Sequence, residues 1–226
     1  MSAAPRSCIG RVLGSVAVLL WVAAPARAQL GLSAQGRYSV VEHRVKAGLG
    51  VEQSSGALTG GSGTLFLGSR LEVTIHSAAG TLTADSATAV DRDVAEASVR
   101  ASLLTVPWLA LHAGFSARSF SNQLARQRWT ALRFGGEVRM AFVGGGVTGL
   151  LHGEILPGAK VSGLERPSRA FAAGAGLEWR TGPLALTLRY DLERYDFPTV
   201  LGAQRAEQLS VLTAEAGLRL GRRNTP

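Results

Sequence analysis

Four histidines are the residues of this 226-residue sequence best suited to acid–base or metal chemistry. None stands at metal-ligand spacing from another histidine or from a cysteine, so the sequence predicts no metal site. We expect them to hydrogen-bond to neighbouring acids, and His152 with Glu154 forms a candidate pair on one strand face. The four are His43, His76, His112 and His152.

Acidic residues in the segments between predicted strands raise the question of hydrolysis. His43 falls in the first long predicted loop, while Asp85, Asp91 and Asp93 surround the second and Asp196 begins the last. General acid–base catalysis requires such groups within hydrogen-bond reach of one another. A hydrolase with its site at this rim is therefore an alternative function, testable at His43 and Asp91, and the sequence assigns no catalytic residue.

Gly144, Gly146 and Gly149 match a dinucleotide-binding spacing. The residues from Leu150 to Leu156 continue as a strand instead of opening a helix, so we expect a hairpin turn. No cofactor is predicted.

The N-terminal 28 residues have the pattern of a secretory signal peptide. Arg6 and Arg11 precede an uncharged, mostly apolar run over 12–24, and small residues lead to Ala28. Removing 28 of 226 residues leaves a predicted domain over 29–226 without the single cysteine, Cys8. A disulfide framework and a thiol nucleophile are thereby excluded. The positive charges are dispersed among acids, which disfavours nucleic acid as a partner.

Strict alternation of apolar and polar residues dominates the rest of the chain. This period of two predicts β-strands, and their length of about 10 to 13 residues suits a tilted bilayer crossing. Short turns alternate with longer loops at 42–58, 82–92, 121–127, 157–169 and 196–207. We allow 8 to 12 strands, because the alternation over 45–51 could form an additional one. The ten predicted strands are 31–41, 59–68, 71–81, 93–105, 108–120, 128–142, 146–156, 170–180, 184–195 and 208–221.

The polar face of these strands carries eight acids and eight arginines at mid-strand positions. Such a balanced set suits a closed barrel with ion pairs across its polar interior and an apolar exterior. A soluble secreted barrel that binds an apolar ligand, with the polar face outside, is the alternative. The lumen ion-pair candidates are Glu96, Arg100, Arg133, Glu137, Arg139, Glu154, Arg189, Asp191, Glu193, Glu215 and Arg219.

In its signal peptide, strand alternation and even strand count, the chain resembles small bacterial outer-membrane β-barrels of the OmpA-like or OmpW-like kind. Its last predicted strand ends at Leu220 instead of the usual terminal aromatic residue. The resemblance implies an all-β, closed antiparallel transmembrane barrel in the outer membrane. It also implies contact with outer-membrane lipid, lipopolysaccharide and the outer-membrane assembly machinery. We expect a non-enzymatic surface or structural protein, or a narrow channel.

Overall fold

The structure is a computed structural model that describes residues 30–85, 90–122, 125–142, 146–199 and 203–220. The predicted signal peptide, Gly144 and the segment after Leu220 lie outside the described residues. No helix in the described ranges is long and apolar enough to cross a bilayer. The strands are β1 (Leu30–Ala47), β2 (Gly50–Leu67), β3 (Leu71–Ala84), β4 (Arg92–Val106), β5 (Leu109–Ser121), β6 (Arg126–Ala141), β7 (Val147–Ile155), β8 (Lys160–Val161), β9 (Arg169–Thr181), β10 (Leu184–Asp196) and β11 (Arg205–Leu220).

Ten of these strands form one closed antiparallel barrel. Each pairs with its neighbours in chain order, with β7 pairing directly to β9, and β1 pairs with β11. The pairing of β5 with β6 joins the two halves of the sheet. The two-residue β8 pairs with the start of β6 at Trp129 and Thr130, beyond the end of β7. The predicted all-β closed barrel with about ten strands is confirmed.

The apolar face of every long strand points outward. On β1 the exposed positions run from Leu30 to Val40, while Ser33, Ser39 and Val41 are buried inside. Ten residue steps at about 3.3 Å, tilted by about 40°, give a height of about 25 Å, which matches the apolar band of membrane barrels. We call this outer surface the apolar belt. The soluble alternative requires these residues inside, and they lie outside.

The two ends of the barrel differ. The turn end holds the start of β1, the end of β11, the tight joins at 68–70, 107–108 and 182–183, and the join from β6 to β7. The loop end holds the remaining joins, and the segment over 157–168 includes β8. The predicted loop over 157–169 thus contains a short strand.

The prediction of a long loop over 42–58 is wrong. β1 and β2 continue through it and meet at a two-residue turn, where Gly48 has φ of 59°. Glycine adopts this left-handed conformation without strain. The apolar pattern fades there because these strand ends rise beyond the apolar belt, but their backbone pairing continues to Ala47 and Gly50. The alternation over 45–51 belongs to the two sides of this hairpin.

Candidate functional site in the barrel lumen

Glu193 links opposite walls of the lumen. Arg118 on β5 donates to its carboxylate at 2.9 Å, and Arg133 on β6 donates at 2.5 Å. The Tyr195 hydroxyl also donates to Glu193 at 3.1 Å. Because β5 and β10 lie four strands apart around the barrel, the contact with Arg118 crosses the lumen.

Each of those two arginines also contacts a second acid. Arg118 donates to Glu96 at 3.0 Å, and Arg133 donates to Glu154 at 2.5 Å. Arg37 on β1 extends the group, with Glu96 at 3.9 Å and Glu215 at 4.0 Å. We call this connected group the upper ion-pair layer, since it lies nearer the loop end.

A second group, the lower ion-pair layer, lies nearer the turn end. Arg139 on β6 reaches across to Glu72 on β3 through both terminal nitrogens, at 3.1 and 3.2 Å, and also donates to Glu137 at 2.8 Å. Arg189 on β10 donates to Glu137 at 2.7 Å and lies 3.9 Å from Asp191. Two planar guanidinium groups thus converge on one buried carboxylate.

Two further lumen residues predicted from the sequence are Arg219 and Arg100. Arg219 stacks over the Phe66 ring at 3.8 Å near the turn end. Arg100 lines the lumen cavity, and no acid of the described residues lies within 4.0 Å of it. This cavity has a volume of about 250 Å³ and extends from Arg219 to the underside of Trp129 and Tyr195.

All four histidines contact acids. His112 lies 2.8 Å from Glu154, His152 lies 3.1 Å from Asp191, and His76 lies 3.5 Å from Glu96. The expected pairing of His152 with Glu154 is wrong: His152 contacts Asp191, and Glu154 is held by His112 and Arg133 from other strands.

An apolar plug fills the lumen at the loop end. The Trp129 ring lies edge-on to Tyr195 at 4.7 Å and to Phe120 at 5.9 Å, and Phe120 stacks on His43 at 4.9 Å. Arg118 of the upper layer pairs in register with Trp129 of the plug, so the plug adjoins the upper layer. Its members are Val41, Leu58, Leu82, Val94, Phe120, Trp129, Leu156, Ala159, Val161, Tyr195, Phe197 and Leu209.

His43 is buried beside this plug. Its side chain is 1% exposed and lies 3.0 Å from Glu207, which also accepts from Arg205 at 2.8 Å. The placement of His43 in a loop is therefore wrong, because the β1 ladder continues past it. Asp91 is exposed and accepts from the Ala84 backbone amide at 3.1 Å. Separate partners therefore occupy the two residues of the predicted rim site.

The other predicted rim acids also have local partners. Asp85 accepts from Ser55 at 3.4 Å, and Asp93 accepts from Thr81 at 2.9 Å. Asp196 accepts from Arg194 at 3.0 Å. Within the described ranges, no three of the metal-ligating side chains form a group able to hold a metal ion.

Sequence reasoning missed the apolar plug and Glu207. The available signal was the alternation itself, because positions on the inward face toward the loop end are apolar, as at Leu58, Leu82 and Phe120. The aromatic residues Phe171 and Trp179 belong to the outward series of β9 and are partly exposed.

Comparison with known proteins gives similarity of fold. No family model matches the chain, and no curated protein matches its sequence. Among solved structures, the outer membrane protease OmpT from Escherichia coli has a TM-score of 0.54 at 9% identity, covering 86% of this chain and 97% of that one. The translocator domain of the autotransporter NalP from Neisseria meningitidis has a TM-score of 0.46 at 14% identity, covering 94% of each chain. The attachment invasion locus protein Ail of Yersinia pestis has a TM-score of 0.30 at 12% identity, covering 86% of this chain and all of that one.

Structural similarity at identities this low indicates a shared fold and gives no information about activity. The fold agrees with the outward apolar belt and the inward charges. The chain therefore has the fold of a bacterial outer-membrane β-barrel.

Proposed function

We propose that this protein is a non-enzymatic surface or structural barrel of the outer membrane whose lumen is closed to solutes. The observation that carries the proposal is the stacking of three obstructions along one axis: the apolar plug, the upper ion-pair layer and the lower ion-pair layer. Ten strands enclose little more than the interior that side chains fill in an eight-stranded barrel. The remaining cavity ends at Trp129 and Tyr195.

The ion-pair layers favour a fixed interior over a narrow channel. The bonded arginines and acids are mostly buried, with Glu193 and Glu154 side chains 8% and 3% exposed. Removing one partner of such a buried pair costs about 3–5 kcal/mol, so the pairs resist opening. An ion crossing the lumen would have to displace them in both layers.

Conductance across a planar lipid bilayer tests the closed lumen. The mature protein is first shown to be folded by a band on an electrophoresis gel that shifts when the sample is boiled. We expect no steady single-channel steps, while a general porin in the same bilayer conducts. Reproducible steps of constant size from the folded protein would overturn the closed-lumen proposal in favour of a narrow channel.

A hydrolase is not proposed, although one protein of similar fold is named a protease. His43 is buried against Glu207, and Asp91 accepts from Ala84 at the exposed rim. Both residues have structural partners, which supports a non-catalytic role for each.

Export and assembly complete the proposal. We expect the signal peptide over 1–28 to be removed, so that N-terminal sequencing of the membrane-bound protein begins at Gln29. We also expect the outer-membrane assembly machinery to fold the barrel and lipopolysaccharide to surround its loop end. Depletion of that machinery should leave a protein whose gel mobility does not change on boiling.

A further inference from the structure

The apolar belt has a sharp upper border at the loop end. On β1, β6, β9, β10 and β11, the outward series changes from apolar to polar within two residues. On β1 the change falls between Val40 and Glu42, and on β10 between Leu192 and Arg194. Side chains immediately beyond this border lie at the level of lipid headgroups.

Seven cations lie beyond this border with no acid among the described residues within 4.0 Å. All seven residues are exposed. They are carried by β1, β6, β8, β9 and the segment after β8, so they occupy one continuous side of the rim. The seven are Arg44, Lys46, Arg126, Arg128, Lys160, Arg166 and Arg169.

The acids of the opposite side have partners of their own. Glu52 on β2 lies 3.4 Å from Arg92, while Asp91 and Asp93 accept local hydrogen bonds. The loop end therefore divides into a side of internally bonded acids, over β2 to β4, and a side on which these seven cations outnumber the acids Glu42 and Glu165.

The strand register brings two arginines of the basic side together. Arg44 on β1 pairs with Gln208 on β11, and Gln208 pairs with Arg194 on β10. Their Cα atoms are two strand spacings apart, or about 10 Å. Arg194 contacts Asp196 through Nε. Arg44 and Arg194 are exposed on the outer face, and Gln208 lies between them in the register, its amide donating to Ser210 at 3.5 Å. Two guanidinium groups on either side of one position suit a phosphate.

We infer that the surface formed by Arg44, Gln208 and Arg194 binds the phosphate group of an anionic lipid in the outer leaflet. The inference rests on the proposed function, because it takes the loop end to face that leaflet. An acidic soluble protein is a poorer match, since these cations border the apolar belt and a lipid supplies acyl chains and phosphate together. Cations next to a membrane surface attract anionic lipid headgroups.

Titration of the detergent-solubilised mature protein with diphosphorylated lipid A tests this site, with bound lipid counted by native mass spectrometry. Fully dephosphorylated lipid A and inorganic phosphate are the comparison probes. The variant is Arg44→Gln with Arg194→Gln, and Arg70→Gln is the matched control. Arg70 is also exposed but lies at the turn end. Heat-modified gel mobility establishes that each variant is folded.

We expect the double variant to bind diphosphorylated lipid A about tenfold more weakly or worse, because it loses two charge-assisted phosphate contacts. Arg70→Gln should bind like the wild type, and dephosphorylated lipid should bind weakly to all three. Equal binding by the double variant and the wild type would overturn the site, as would an equal loss in Arg70→Gln. Saturable binding of inorganic phosphate that the double variant abolishes would identify a free-phosphate site and overturn the lipid assignment. If the protein conducted ions and the double variant alone still lost affinity for diphosphorylated lipid A, the closed lumen would be contradicted and the lipid site would be supported.

Discussion

Replacing Glu193 by alanine tests whether the lumen ion pairs stabilise the barrel. The substitution removes hydrogen bonds from Arg118, Arg133 and Tyr195. Hydrogen bonds to charged groups contribute about 1.5–3 kcal/mol each, which sets an upper bound of about 9 kcal/mol. Arg118 keeps its bond to Glu96, and Arg133 keeps its bond to Glu154. We therefore expect a loss of about 3 kcal/mol in the free energy of unfolding, the lower end for a broken buried pair.

Glu178→Ala provides the matched control for this measurement. Glu178 also faces the lumen, but its ion-pair partner is Arg180, whose side chain is 38% exposed and lies near the turn end. An ion pair this exposed contributes about 0–1 kcal/mol. Urea unfolding in lipid vesicles, followed by tryptophan fluorescence and by heat-modified gel mobility, compares the two variants.

Equal destabilisation by Glu193→Ala and Glu178→Ala would refute the reasoning. Equal losses would mean that water screens the ion pairs of the upper layer as effectively as it screens the Glu178–Arg180 pair at the turn end. Glu193→Gln gives a second check, since the amide oxygen still accepts hydrogen bonds but carries no charge. The free energy of unfolding of Glu193→Gln should lie between those of the wild type and Glu193→Ala.

Three further substitutions test the plug, the close packing in the lumen and the apolar belt, all by the same unfolding assay. Trp129→Ala should lower the free energy of unfolding by about 3–5 kcal/mol because the ring is buried in the plug. Trp108→Ala should lower it much less, since Trp108 is 55% exposed. Equal losses in the two variants would contradict a packed plug. Gly174→Ala should prevent stable folding because a Cβ there would collide with His152, Asp191 and the backbone of Tyr190. Gly153→Ala is the control, since a Cβ at Gly153 meets nothing within 4 Å. A stable Gly174→Ala barrel would contradict the close approach of these groups to Gly174. Leu188→Arg, in the middle of the outward series of β10, should cost about 2–4 kcal/mol in vesicles, and an unchanged stability would place that face in water.

Much of the barrel could be predicted from alternation alone. The outward series of β10, from Leu184 to Leu192, is legible in the sequence because neighbouring strand residues point to opposite faces. The same parity put Arg139, Glu137 and Glu193 on the inner face. The β1–β2 hairpin was missed because its outward residues beyond Val40 are polar, which weakens the alternation while the backbone pairing continues.

The choice of partners in the lumen could not be predicted. Arg133 meets Glu193 across 60 residues of sequence, and Arg118 meets the same acid across 75. The same parity allows many pairings of acids with arginines. The tilt and stagger with which ten strands close determine which side chains reach the same level. His152 illustrates this, because its partner is Asp191 on another strand and not Glu154 on its own.

The sequence by itself determined the strands, the outward apolar face and the concentration of charge inside, because each follows from the local two-residue period. Only the tertiary structure decided that the loop end of the lumen is packed with aromatic and aliphatic side chains and that His43 lies buried against Glu207. It also decided that Arg44 and Arg194 lie on either side of Gln208. These features depend on closure of the barrel, which sets the level of each residue relative to strands far away in the chain.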